Sequence, residues 1–427
     1  MALTEYRKRI ADKLLERKLA GKGAVLIEGA KWCGKTTTAE QQAKSVLYMS
    51  KTGSARHNRE LALMSPDLLL RGARPRLIDE WQVAPELWDS IRFDVDHAHA
   101  LGQFILTGSC VPADMSNVIH SGTGRFAWLR MRPMSLWESG ESTGEVSLAS
   151  LFTSTGKIGG VNTLDLLGIA YILCRGGWPL AVNMADRGIA LDQAFDYVKA
   201  VEQKDAREAD GIARDPARVH RLLRSYARLQ GSQANYTTIK NDLIANEGEG
   251  IEEITVASYI KALKSIFVIE DSEAWNPNLR SKTAIRTSDT RYFTDPSIAT
   301  AALGLGPNDL IADLETYGLL FETMCIRDLR VYAEAINGNV YHYRDKNGLE
   351  CDAVVHLRNG SYGLIEVKLG GEKLIKEGAS TLKTLVERID TTKMKKPSFL
   401  MVLTAVGDYA YQQADGVYVV PIGCLKD

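Results

Sequence analysis

"GAVLIEGAKWCGKTTTAE", residues 23–40, carries three signals in succession. Ala24 to Ile27 is an unbroken apolar run of strand length, Gly29 to Thr36 fits the spacing G-x-x-x-x-G-K-[ST], and a helix-forming stretch follows. A strand, a glycine-rich turn and a helix in that order make a cradle for phosphate. The backbone N–H groups of Gly29, Ala30, Lys31, Trp32, Cys33 and Gly34 can wrap the anion, and the helix N-terminus adds its partial positive charge. Lys35 is then expected to reach the β- and γ-phosphates, with the Thr36 hydroxyl on Mg²⁺ and Thr37 beside it at the start of the helix. A chance glycine-rich turn is the competing explanation, and the flanking strand and helix weigh against it. The expected cofactors are therefore ATP and Mg²⁺.

Further short apolar runs follow at "SVLYM" (45–49), "RLID" (76–79) and "QFILTG" (103–108), separated by helix-length segments. This alternation predicts an α/β domain with a parallel sheet. Asp79, at the end of its run, is expected in the Mg²⁺ shell, and Glu80 is placed to polarise the attacking water. Thr107 and Ser109, ending the next run, are candidates for sensing the γ-phosphate or positioning the water, although polar strand ends are also routine caps. Arg125, Arg130 and Arg132 in "GRFAWLRMRP" (124–133) are candidate arginine fingers, within one chain or across a subunit boundary. Arg125, after the turn-like "SGTG", is the one chosen, and a finger acting in trans would require an oligomer.

The 427 residues exceed what one hydrophobic core organises. Three segments are expected: 1–155, 156–301 and 302–427, with linkers in 139–160 and in "ALGLGPND" (302–309). Net charge is −1, so any nucleic-acid contact must come from local patches rather than a global basic field. Six cysteines stand singly, without a CxxC pair, which argues against a zinc ribbon or a disulfide framework. No apolar run approaches membrane-spanning length, and a cytoplasmic protein without a membrane partner is expected.

In the middle segment, Arg218, Arg221, Arg224 and Arg228 fall on one helical face, opposite Val219, Leu222, Tyr226 and Leu229. Such a stripe can follow nucleic-acid phosphates, or simply be solvated. Residues 235–275 then suggest two helices and a strand. Thr255 is placed to cap the second helix, and Ser258, Lys261 and Lys264 lie off its apolar face as a recognition helix would present them. The stretch 276–293 would be the wing of a winged helix, used for DNA or as a packing adaptor.

Near the C-terminus, "GLECDAVVHLRNGSYGLIEVKLGG" (348–371) is a hairpin with ionisable residues inside both strands. A two-residue Asn359-Gly360 loop would mix charge and hydrocarbon on each face. A three-residue loop, Arg358-Asn359-Gly360, sets Asp352 opposite Glu366 and Glu350 opposite Lys368, and puts Gly360 where a left-handed residue is wanted. One-residue slips invert every side chain, so the second register is expected, with one apolar face and one gathering Asp352, Glu366 and Lys368. That polar face is either the exposed side of an edge hairpin or a site for Mg²⁺ or Mn²⁺, with Asp352 and Glu366 as ligands and Lys368 activating water or holding developing charge.

In order, "GAKWCGKTT", "RLIDEWQ", "FILTGS", "LRMRPMSLWE", "RGGWP" and "YFTDPSIATAAL" resemble a prokaryotic family of AAA-type P-loop ATPases. Its members carry a C-terminal domain related to the restriction-endonuclease-like PD-(D/E)XK superfamily. Only Trp32-Cys33 departs from the usual loop, at positions where backbone amides do the binding. The resemblance implies an α/β multidomain protein: a P-loop parallel-sheet domain, a helical and winged-helix middle, and a nuclease-like α/β domain. It further implies that Glu322, Asp352, Glu366 and Lys368 occupy that superfamily's helix-glutamate, aspartate and E-x-K positions. The function so implied is a Mg²⁺-dependent ATPase coupled to DNA binding or processing. The alternative is an ATP-dependent interaction switch with an inactive nuclease fold.

Overall fold

Strand β1 (Ala24–Glu28) is buried on both faces, with Ala24, Val25 and Ile27 fully enclosed, which is why its sequence is continuous hydrocarbon rather than alternating. The computed structural model describes residues 6–110, 121–153, 158–248, 250–276, 288–390 and 394–427. They form two compact units: Met1–Pro133 with Gln203–Asp215 and Lys261–Val268, and Met134–Glu202 with Pro216–Ile260 and Ile269–Asp427. The first unit ends its main run at Pro133 and takes in two short later stretches. Among the described residues no helix is long and apolar enough to cross a membrane.

In the first unit, β1, β2 (Ser45–Tyr48), β3 (Arg76–Asp79), β4 (Phe104–Gly108) and β5 (Phe126–Arg130) form a parallel sheet in the order β2-β3-β4-β1-β5. Leu26, Ile78, Leu106 and Phe126 pack with Trp81, Leu87, Trp88 and Ile91 from the connection after β3. Trp88 stacks on Phe126 with ring centroids 4.1 Å apart. Because every strand runs the same way, the loops after β1, β3 and β4 open at one edge, where α/β sheets bind ligands. β4 lies between β1 and β3, so Thr107 is carried between the glycine-rich loop and Asp79.

The second unit, which begins at Met134, takes in the stretch expected to be the first linker. Within 139–160, β6 (Val146–Ser147) pairs with β14 (Leu425–Lys426), and β7 (Gly160–Val161) pairs with β12 (Tyr409–Gln412). The described residues there thus supply strand and turn conformations. The second expected linker is likewise a tight turn between the helices Pro296–Leu303 and Pro307–Ala312, closed by Gly304 at φ +72°. The main sheet runs β7-β12-β13-β11-β10-β9-β8, with β8 (Gly338–Arg344), β9 (Glu350–Leu357), β10 (Tyr362–Lys368), β11 (Phe399–Thr404) and β13 (Tyr418–Pro421). The register Ile365↔Ala353 and Tyr362↔His356 is the one the three-residue loop requires, and Gly360 has φ +80°.

The same hairpin corrects one expectation. It is not at an edge: β10 lies between β9 and β11, and Val354, Tyr362 and Leu364, on the face expected to be wet, pack with Ala379, Leu382 and Leu385 of the helix Glu372–Arg388. The opposite face, with Ala353, Val355 and Ile365, is buried as well.

Within residues 216–293, the helices Pro216–Arg228, Tyr236–Glu247 and Glu253–Ser265 precede two antiparallel bridges, Ile269 opposite Phe293 and Ser272 opposite Thr290. Residues 277–287, most of the expected wing loop, lie outside the described residues. Thr255 does not cap its helix: its own N–H and that of Val256 donate to the Glu252 carbonyl, so the helix starts earlier, at Glu253. The arginine stripe is partly neutralised within the unit. Arg224 pairs with Glu247 at 3.1 Å, and Arg228 with Asp242 at 2.6 Å and Glu247 at 2.8 Å. Acidic residues on the next helix take up the charges of Arg224 and Arg228 that phosphates would have used.

Candidate functional site

Backbone geometry builds the glycine-rich loop. A Cβ on Gly29 would sit 2.0 Å from the Met131 carbonyl oxygen, so no other residue fits where the chain leaves β1. Gly34 caps the helix Lys35–Glu40 at φ +101°, and Trp32 takes φ +66°, a left-handed conformation that side chains seldom adopt. Trp32 is exposed and Cys33 is buried, its Sγ 3.5 Å from the Met131 oxygen. Lys35 is buried, and its ammonium donates to the Gly29 and Ala30 carbonyls at 2.8 Å each. The loop thus satisfies its own lysine from its own backbone, at the place where phosphate oxygens would compete for it. Thr37 is exposed on the helix, and its carbonyl accepts from Gln41.

Beside the loop, residues picked out on the helix Lys35–Glu40 and at the ends of β3 and β4 come together. Thr36 Oγ1 donates to Asp79 Oδ1 at 2.6 Å, and Thr107 Oγ1 donates to the same oxygen at 2.8 Å. The Glu80 N–H donates to Thr107 Oγ1 at 3.3 Å. Glu80 itself is in the left-handed region at φ +57°, and its Oε2 accepts from Ser109 Oγ at 3.0 Å and from Gln82 Nε2. A hydroxyl and a carboxylate already within 2.6 Å of each other offer the hard oxygen donors Mg²⁺ prefers, so the residues fit that ion. Thr107 tethers Asp79 while Ser109 tethers Glu80, a division of labour that the sequence had left open.

Lys31 Nζ forms an ion pair with Asp205 Oδ1 at 2.5 Å. Burial pushes the nearby Cys110 thiol up to about 11, with Glu80 adding to the shift. Burial also raises Glu28, against the pull of Arg130, whose guanidinium lies 3.9 Å from the Glu28 carboxylate and 4.1 Å over the Phe267 ring.

Arg125 is not brought to this edge. Phe126 pairs with Ala24 and Arg130 with Glu28, so Arg125 stands at the amino end of β5, roughly 16 Å along the strand from Arg130 at about 3.3 Å per residue. There it pairs with Asp96 at 2.8 Å. A finger acting on its own chain's loop is excluded by that placement. Gln82 and Asp205 were missed. Gln82 lies two residues after Glu80 and could have been suspected, whereas nothing local points to Asp205.

In the second unit, Lys368 Nζ bridges Glu366 Oε2 at 2.6 Å and Asp352 Oδ2 at 3.4 Å, and Asp352 Oδ2 also accepts from the Val367 N–H at 2.7 Å. Glu322, on the helix Leu314–Ala335, accepts a hydrogen bond from the Tyr292 hydroxyl. Burial raises Glu322 well above the usual carboxylate range, and Asp352 raises it further. Burial and Asp352 push Glu366 up to about 8. Burial disfavours the Lys368 charge, but Asp352 and Glu366 raise its pKa nonetheless. Among the described residues no group of three or more His, Cys, Asp or Glu side chains is arranged to hold a metal ion. The expected second Mg²⁺ or Mn²⁺ site at Asp352 and Glu366 is thus not supported by a wider ligand group among the described residues. The lysine ammonium lies against both carboxylates, where the cation was expected.

Comparisons with known proteins divide along the chain. Residues 168–309 and 317–425 match two families, each described as a domain of unknown function (DUF8612 and DUF4143). Uncharacterized proteins of Mycobacterium bovis and Mycobacterium tuberculosis are each 23% identical over 363 residues, covering 84% of this chain and 74% of theirs. A solved Walker-type ATPase of Pyrococcus abyssi aligns with TM-score 0.42 and 16% identity, over 70% of this chain and 96% of its own. Residues 21–139 match a family described as an AAA domain, so the N-terminal part of the chain carries an ATPase-like AAA domain.

Proposed function

We propose that the protein binds and hydrolyses ATP with Mg²⁺ at the edge formed by the glycine-rich loop, β3 and β4. The observation that carries this is the convergence of Thr36, Asp79 and Thr107, with Lys35 held on the loop carbonyls. Thr36 and Asp79 would hold Mg²⁺, which supplies charge neutralisation for the phosphates. Lys35 exchanges the Gly29 and Ala30 carbonyls for phosphate oxygens. Glu80, steadied by Ser109 and Gln82, accepts a proton from water as that water attacks the γ-phosphorus and the bond to the bridging oxygen of ADP breaks. Arg130 is the candidate finger, since it ends β5 at the nucleotide edge. Phosphate release from ATP in the wild type, absent in Lys35→Ala, is the test. Equal turnover in both would overturn the proposal.

For the C-terminal part, the helix Leu314–Ala335, the antiparallel strands β8, β9 and β10, the helix Glu372–Arg388 and the parallel strand β11 follow one another as in a nuclease-like fold. On this reading Glu322, Asp352, Glu366 and Lys368 would be the residues such a fold uses. The Lys368 ammonium, set between Asp352 and Glu366, favours a binding module over a cleaving one. Mg²⁺- or Mn²⁺-dependent DNA cleavage that disappears in Asp352→Ala would reverse this preference.

A further inference from the structure

Phosphate binding by a glycine-rich loop uses backbone amides and Lys35, and leaves Lys31 without an assigned part. Yet Lys31 is fixed: its ammonium lies 2.5 Å from a carboxylate 174 residues away in sequence. That carboxylate side chain, Asp205, is 9% exposed, while the Lys31 side chain stays 42% exposed. The buried partner is the immobile one.

Asp205 ends a π-helical stretch, Val201–Asp205, an irregularity that often accompanies functional positions. The residues after it are pinned. Arg214, 4% exposed, donates to the Ala206 carbonyl at 3.0 Å and clasps both Asp210 oxygens at 2.5 and 2.6 Å. Asp205 therefore projects from a fixed platform. It also belongs electrostatically to the nucleotide edge, because the Cys110 thiol is influenced by Glu80, Lys31, Asp205 and Lys35 together.

We propose that Asp205 is a positioning residue that sets nucleotide affinity by withholding Lys31 from the phosphates. In the empty loop Lys31 neutralises one carboxylate. A nucleoside triphosphate brings several negative charges to the same edge and draws the ammonium across. Part of that gain offsets the cost of leaving Asp205 buried without its partner. The pair thus holds affinity below what the loop could reach, and couples occupancy of the site to release of the Asp205 platform. This inference rests on the ATP-binding function proposed above.

The test is equilibrium binding of a fluorescent ATP analogue to the full-length protein. Asp205→Asn, which keeps shape and removes charge, is expected to tighten binding about threefold to fivefold, as for an ion pair of modest strength. Lys31→Met is expected to weaken it, and Asp205→Asn added to Lys31→Met is expected to change nothing further. Asp205→Glu should restore wild-type affinity. Looser binding in Asp205→Asn, or equal tightening with and without Lys31, would overturn the proposal. Lys35→Ala separates the two levels: if it binds as tightly as wild type, the ATP site itself is misassigned. If only the Asp205 variants depart from expectation, the ATP site stands and Asp205 is structural.

Discussion

Thr107 and Glu80 divide the nucleotide edge between holding and reacting. Thr107 is fully buried, and its hydroxyl fixes Asp79 while accepting from the Glu80 N–H. Thr107→Val keeps the shape and removes both bonds, so ATP turnover is expected to fall roughly ten- to a hundredfold, with the sheet intact by circular dichroism. Glu80→Gln should bind ATP yet hold it unhydrolysed, as measured by retention of radiolabelled nucleotide through a desalting column. Lys35, Asp79 and Glu80 were legible because a phosphate loop and an acid-ended strand are local patterns. Arg125 was misplaced because a run of arginines says nothing about which end of a strand faces the loop. Asp205 was invisible because only the folded chain brings it to Lys31.

Glu366 gives the clearest pH dependence. Its folded pKa, raised to about 8 by burial and by Asp352, lies above the ordinary value of 4.5. Its contribution is therefore fully present below about 4.5 and is lost as pH rises toward about 8. Glu322 shifts in the same direction. In urea melts, Glu366→Gln should be at least as stable as wild type at pH 8.5, and its advantage should shrink or reverse at pH 5. A growing advantage toward low pH would contradict the assignment.

Strands and turns were read more securely than their surroundings. Alternation in 350–368 and the demand for a left-handed Gly360 fixed the hairpin register, which the structure reproduces. Its environment was not legible, because the cover over Val354 and Leu364 comes from the helix Glu372–Arg388. The same limit applies to the arginine stripe: helical spacing puts four cations on one face, but not Asp242 and Glu247 against two of them. In the loop after β1, Gly29→Ala would force a methyl against the Met131 carbonyl. It should cost on the order of 2 kcal/mol in denaturant melts and abolish nucleotide binding.

Across the molecule, motifs that no nucleotide chemistry explains turn out to be joined. Arg327 Nη1 pairs with Asp295 at 2.8 Å and Nη2 with Asp328 at 2.7 Å, all three nearly fully buried. Asp295 also accepts from the Gly177 N–H, Asp328 from the Leu136 N–H, and Trp178 Nε1 donates to Ser297 Oγ. Thus "LRMRPMSLWE", "RGGWP" and "YFTDPSIATAAL" are joined in the fold, because one buried guanidinium and its carboxylates tie their turns together. Arg327→Met leaves two buried carboxylates without a cation and should cost about 3–5 kcal/mol of unfolding free energy in the second unit. For function the most direct measurement is Mg²⁺-dependent phosphate release from ATP by the full chain, with Lys35→Ala in parallel. Steady turnover by the wild type and none by Lys35→Ala is expected; turnover by both at the same rate would contradict the nucleotide site placed at Lys35.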